Sequence, residues 1–235
     1  MTHRMVRWLA VLTLVLLTSA CGADVISGTA GRSTNGLETR TAPQVREAAI
    51  DALKAAGSVH ITGTAIDDSG QKGRFDLRIQ GTSYTGTITA SGADLAVTAI
   101  GDTQYFKTDA AGWAALGAPD AAPYFAGKWV KAPAVAAGTD ERFTLDMLVV
   151  GIRQDEIGMR PGVAQTTLND TKAVVVTYAN GDRLYVANTG AAHPLRITSS
   201  VTGDLEFSEH GTDFHITAPP DAVDGTQPLN IGHQI

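Results

Sequence analysis

Along most of its length the chain repeats with a period of two, and that repeat restricts the fold more than anything else in the sequence. Phe75, Leu77 and Ile79 alternate with Asp76, Arg78 and Gln80. Successive side chains of a strand point to opposite faces, so this pattern describes a strand with one face in a core and the other in water. The same reading applies to 59–66, 84–89, 95–100 and 103–108, and again to 163–168, 173–178, 183–187, 195–201, 205–208 and 214–218. Short links rich in Gly and Asp separate the runs. Asp67-Asp68-Ser69-Gly70 and Asn180-Gly181-Asp182 carry hairpin chemistry, and Pro219-Pro220 ends the pattern. A meander of about ten strands is large enough to curl, and its apolar face needs a cover.

Two helices are available to cover it. Thr41-Ala42-Pro43-Gln44 forms a capping box: Thr41 caps, Gln44 reaches back, and Pro43 falls where its missing N–H costs nothing. Val45, Ala48, Ala49, Ala52 and Leu53 then make one apolar stripe, and Gly57 stops the helix. A second helix is expected over 143–152, opened by Thr139-Asp140-Glu141, with Leu145, Leu148 and Val149 on one side. Between the meanders, 110–138 reads as short helical turns and loops containing Trp113, Tyr124, Phe125 and Trp129. The expected fold class is α+β: a large curved antiparallel sheet, a half-barrel of about ten strands, with short helices on its concave side.

The first twenty residues read as an export signal. Arg4 and Arg7 form a positive start, Trp8 to Leu17 an apolar run, and Thr18-Ser19-Ala20 a small-residue cleavage site. The run falls short of the roughly 20 residues that span a bilayer. The only cysteine, Cys21, follows at once. Leu17-Thr18-Ser19-Ala20-Cys21 resembles the lipobox of bacterial lipoproteins, although Thr18 stands where those usually carry Leu. The resemblance implies a diacylglyceryl thioether on Cys21 and a new N-terminus there; the alternative is an ordinary secretory signal with an unmodified thiol. Two or more acyl chains hold a protein stably on a membrane where one does not. Residues 21–40, rich in Gly, Ser and Thr, read as a flexible linker of about 20 residues spanning roughly 25 Å. The domain assignment is therefore signal peptide 1–20, lipidated N-terminus and linker 21–40, one α+β domain 41–224, and a mobile tail 225–235.

Charge excludes several partners. There are 18 Lys and Arg against 24 Asp and Glu, a net of −6, and loss of Arg4 and Arg7 with the signal makes the exported chain more acidic still. No basic patch is present for nucleic acid, and charge alone does not hold such a chain on anionic lipid. Chemical motifs are equally sparse. Ser69-Gly70-Gln71-Lys72 matches S-x-x-K, but in a hairpin turn and without its companion motifs. His60, His193, His210, His215 and His233 show no metal-ligand spacing, and His60 and His215 fall on the polar side of their strands. Asp67-Asp68 suits a turn and Asp140-Glu141 a helix start. The expectation is a protein that is not an enzyme and uses no cofactor or metal.

Three stretches carry a family resemblance: Ile100-Gly101-Asp102-Thr103-Gln104-Tyr105-Phe106-Lys107 leading to Trp113; Phe125-Ala126-Gly127-Lys128-Trp129-Val130-Lys131; and Phe207-Ser208-Glu209-His210-Gly211 running into Phe214-His215-Ile216-Thr217-Ala218-Pro219. With the order of elements, these resemble the LolA-like carriers, in particular the actinobacterial lipoproteins of the LppX, LprA and LprG type. The resemblance covers Pro43 to Pro220. It implies a half-barrel with a hydrophobic cavity beneath helices, a lipid-anchored protein on the extracytoplasmic face of the cell membrane, and carriage of acylated lipid or lipoglycan, with a membrane transporter as a further partner. A monomer is expected. On the residues alone, Trp113, Tyr124, Phe125 and Trp129 either anchor a loop-rich core or line a pocket mouth. Small inward residues such as Gly63, Ala65, Gly86 and Ala99 either bring backbones together or leave space. The competing function is a membrane-anchored, non-catalytic protein- or wall-binding module with a filled core.

Overall fold

A computed structural model describes residues 33–66, 70, 72–90, 92–133, 143–153, 158–200 and 203–225. The fold is α+β, built on one open, non-closed sheet of twelve strands. In chain order, β1 (Ser58–Ile66), β2 (Lys72–Gln80), β3 (Ser83–Ala90), β4 (Ala93–Ile100), β5 (Thr103–Lys107) and β6 (Val130–Pro133) form a first antiparallel meander. β7 (Ala164–Leu168), β8 (Thr171–Thr177), β9 (Arg183–Ala187), β10 (Pro194–Ser199) and β11 (Gly203–Ser208) form a second. The meanders join where β1 pairs antiparallel with β11, so β1 stands in mid-sheet. β12 (Val223–Asp224) runs parallel to β6 and completes one edge.

The curl of the sheet has a visible cause. A Cβ added at Gly63 of β1 would lie 2.1 Å from the backbone oxygen of Asp204, and one at Gly86 of β3 would lie 1.9 Å from that of Asp76. Neighbouring strands bend so sharply at these inward positions that only hydrogen fits. Both glycines are therefore close-approach sites; they do not leave space.

α1 (Ala42–Ala56) begins at the expected capping box, with Gln44 Oε1 accepting from the Thr41 N–H at 3.0 Å, and ends at Gly57 in the left-handed conformation. It lies over β1, β8, β9 and β10. It buries Val45, Ile50 and Leu53 almost completely, which stabilises the fold by roughly 1.5–3 kcal/mol per side chain. The later helix, Leu145–Arg153, is capped by Thr144, whose hydroxyl accepts from the Met147 N–H at 3.1 Å. The expected opening at Thr139-Asp140-Glu141 lies outside the described residues. This helix packs on α1, and Tyr178 donates its hydroxyl to the Ile152 carbonyl. Arg46 of α1 donates to the Arg153 carbonyl, and Glu47 sits 3.4 Å from the Arg153 guanidinium. Between β5 and β6 come α2 (Ala110–Ala115) and α3 (Ala122–Phe125), so the helix at Leu145–Arg153 is α4.

Three expectations need correcting. Residues 214–218 form no strand: Asp213 Oδ1 accepts from the His215 N–H, His215 takes φ 46°, and the Phe214 N–H is held by the Gln80 side chain instead of a neighbouring strand. Two short strands, β6 and β12, occur in stretches read as loop and chain end. The linker is also shorter than 21–40. Leu37 is buried in a 3-10 turn, and Asn35 donates its side-chain amide to the carbonyls of Ala187 and Gly190, fastening this segment to the β9–β10 link.

Candidate ligand groove

The two halves of the concave face are covered differently. Over the second meander, α1 and α4 fill the space against Val174, Val176, Leu184 and Val186, all essentially inaccessible. Over β3, β4 and β5 the cover among the described residues is α2, α3 and Phe143. Asp109 Oδ1 caps α2 by accepting from the Gly112 N–H at 2.8 Å. Gly112 sits so close to Thr108 that a Cβ would meet its hydroxyl at 1.7 Å, and Thr108 donates to the Asp94 carbonyl at 2.8 Å. One end of α2 is thus pinned to the sheet. Its other end, Leu116, hangs over β3 and β4 with 48 % of its surface exposed.

Beneath Leu116 lies an apolar groove in two lobes. The inner lobe, about 40 Å³, is lined by Tyr84, Ile88, Leu95, Val97, Leu116 and Phe143, among others. The outer lobe, about 80 Å³, is lined by Ile88, Ala93, Leu95, Ala115 and Leu116, with Thr108 and Gly112 at its side. Ile88 and Leu95 stand opposite each other in the β3–β4 register and belong to both lobes. At the inner end Gln104 donates to the Tyr84 hydroxyl, so this buried polar pair is satisfied. Phe143 closes over it, 5.6 Å edge-to-face from Tyr84 and 6.1 Å from Phe75.

Trp113, Tyr124, Phe125 and Trp129 do not line either lobe. Trp113 is buried between Phe106 at 5.3 Å and Phe125 at 5.6 Å, and this stack fastens α2 and α3 to β5. Trp129 is half-buried beside β6, and Tyr124 is exposed. These four aromatics support the roof, while the lining comes from strand aliphatics, the strand residues Tyr84, Gln104, Tyr105 and Phe106, and Leu116 and Phe143. The signal for the lining was the alternation itself: Tyr84, Gly86 and Ile88 share a face with Leu95, Val97 and Ala99 once the β3–β4 register is drawn. Cys21 lies outside the described residues, among which no helix is long and apolar enough to cross a membrane.

His60 on β1 is held at Nε2 by Asp76 Oδ1 at 2.7 Å and faces Ser208 Oγ across Nδ1 at 3.3 Å. That order resembles a Ser-His-Asp relay, but Glu209 Oε1 also sits 3.3 Å from Nδ1. The ring nitrogen that faces Ser208 therefore also faces a carboxylate, whereas a serine relay needs that nitrogen given over to the hydroxyl. Alternation places Thr62, Thr64, Arg74, Asp76, Thr87 and Thr89 on the side of β1–β3 opposite the groove. With Gly63 and Phe75 they line an open hollow of about 440 Å³, in which threonine, arginine and aspartate side chains are mixed with apolar surface.

His193 and His210 form a pair that sequence spacing did not bring together. Their rings stack at 4.2 Å and 16°, at the ends of β10 and β11. Burial drives the His210 imidazole from 6.5 down to about 4, helped by the adjacent His193 ring and opposed by a hydrogen bond to the Pro194 backbone. Burial also lowers His193. Ring lone pairs lie in the ring planes, and two nearly parallel, separated planes do not converge on one metal. Among the described residues no group of three or more His, Cys, Asp or Glu is placed to hold a metal ion.

No family model matches this chain, and no curated protein matches its sequence.

Proposed function

We propose that the protein is a lipid-anchored lipoprotein of the extracytoplasmic membrane face that shelters an acyl chain of a lipid or lipoglycan in the groove beneath Leu116. The observation carrying this reading is the continuous apolar surface formed by Ile88, Leu95, Val97 and Phe143 under a roof of two short helices. Each methylene moved from water into such a surface gains about 0.8 kcal/mol. Anchorage through Cys21 keeps the domain beside a bilayer and needs no charge on its surface. No cofactor enters this reading, the working unit is a monomer, and a membrane transporter is the natural donor or acceptor of the cargo. The resemblance to LolA-like carriers supports it independently of the groove.

Lobes of about 40 and 80 Å³ are well below the roughly 300–1,000 Å³ of ordinary ligand sites. Loading therefore requires α2 and α3 to lift from the sheet. Those small volumes, with the solid packing under α1 and α4, favour the second reading: an anchored, non-catalytic module that binds a protein or the cell wall. The deciding experiment is native mass spectrometry of the full lipoprotein taken from membranes. A bound lipid lost on delipidation and regained on incubation supports carriage. A chain that stays empty and takes up no fatty acid supports the module. Incorporation of labelled palmitate, abolished by Cys21→Ala, tests the anchor separately.

A further inference from the structure

Resting on that carrier reading, we infer that Leu116 is the side chain that selects the cargo, limiting the groove to one unbranched alkyl chain at a time. The two lobes share Ile88, Leu95 and Leu116. Leu116 is the only one of these supplied by the roof, and with 48 % exposure it is not committed to the core. It follows α2 directly, and Gly117 after it has φ 77° with nothing within 4 Å of where a Cβ would stand. The Gly117 N–H donates to the Ala114 carbonyl and the Ala118 N–H to the Trp113 carbonyl, so the backbone of the turn is held on α2 and it is the exposed Leu116 side chain that can rotate. Swinging Leu116 aside turns two lobes into one passage.

The passage is elongated along β4. Ala93 lines only the outer lobe, Leu95 both, and Val97 only the inner one, so it follows β4 for about 13 Å at 3.3 Å per residue. Where the lobes meet its floor is one strand pair wide, because Ile88 and Leu95 are direct cross-strand partners, with side chains about 5 Å apart; further in, Gln104, Tyr105 and Phe106 of β5 join the lining. The inner end is blocked by Phe143 and by the mutually bonded Tyr84 and Gln104. A linear methylene chain fits this shape. A methyl-branched chain or a second chain beside the first meets Leu116.

Photo-crosslinking tests this on the full lipoprotein in vesicles, with a diazirine-bearing straight-chain fatty acid as probe and a methyl-branched fatty acid as competitor. Adducts are mapped by peptide mass spectrometry. The wild-type chain is expected to label on β3, β4 and Leu116, with weak competition from the branched acid. Leu116→Ala should label more strongly, by about fourfold for each further methylene admitted, and should become sensitive to the branched competitor. Leu116→Trp should lose the label. Because Leu116 is half exposed, both variants should melt close to wild type. If the wild-type chain labels on β3 and β4 but both variants match it in yield and competition, the role of Leu116 is overturned and carriage stands. If the wild-type chain takes no label in the groove, the carrier reading itself fails.

Discussion

Replacing Gly63 with alanine adds one methyl group at the point where β1 and β11 unite the two half-sheets. That Cβ would lie 2.1 Å from the Asp204 oxygen and 3.1 Å from both the Asp204 carbonyl carbon and Leu205 Cα, all backbone atoms of β11. No rotamer change relieves such a contact, so β1 and β11 must separate by about an ångström. Overpacking in a rigid interior costs roughly 1–3 kcal/mol, and each ladder hydrogen bond lost with the separation costs about 1 kcal/mol more. Gly63→Ala should therefore lose about 4 kcal/mol. That is a large part of a typical stability of about 5–15 kcal/mol. The control is Gly81→Ala, where φ is 58° and nothing lies within 4 Å of the new methyl group; only the left-handed backbone is penalised, by about 1–2 kcal/mol. Urea unfolding followed by tryptophan fluorescence separates the two cases. A Gly63→Ala protein as stable as Gly81→Ala, or more so, would refute the argument that backbone crowding at Gly63 bends the sheet over the groove.

Further outcomes follow from other contacts. Trp113 is deeply buried, yet its indole N–H has no partner among the described residues. Trp113→Phe should thus cost little, because an unsatisfied donor disappears, while Trp113→Ala should cost about 3–5 kcal/mol in thermal or urea denaturation. Tyr178→Phe strands the Ile152 carbonyl that the hydroxyl now reaches, and should cost about 1–3 kcal/mol in the same assay. His210 is neutral when folded, with its pKa lowered from 6.5 to about 4, so below 6.5 the unfolded chain binds the extra proton. Stability should be flat above that pH on this account and fall as pH drops from 6.5 towards 4. The fall should be by roughly 2 kcal/mol after allowing for partial exposure of the ring, and His210→Phe should remove that part of the slope. Asn35→Ala should free the segment before α1, raising its proteolysis without moving the midpoint of the domain by more than about 2 kcal/mol.

How much was legible follows from the range of each interaction. Alternation in 72–80 and 84–100, and the stripe from Val45 to Leu53, reported which faces are buried, because period and capping are local properties. Asn180-Gly181-Asp182 marked its turn for the same reason: Asn180 Oδ1 accepts from the Asp182 N–H. What was not legible depends on partners distant in the chain. The pairing of β12 with β6 joins residues some ninety positions apart and leaves no mark on a two-residue strand. The stretch at 214–218 alternates like a strand, but Gln80 and Asp213 take its N–H groups first. The stretch 113–125 contains the roof, but Trp113, Tyr124, Phe125 and Trp129 line neither lobe. Whether any of them faces the groove is decided by the Trp113–Phe106 stack, and that requires knowing where α2 lands on β5.

The most direct test of the account is a crystal structure of the full lipoprotein isolated from its own membrane with whatever it carries. The account predicts electron density for a single alkyl chain along β4, between Ile88 and Leu95, with Leu116 swung outward and α2 raised. Density elsewhere on the molecule, or a roof still closed over an unfilled groove in protein shown by mass spectrometry to hold lipid, would contradict it.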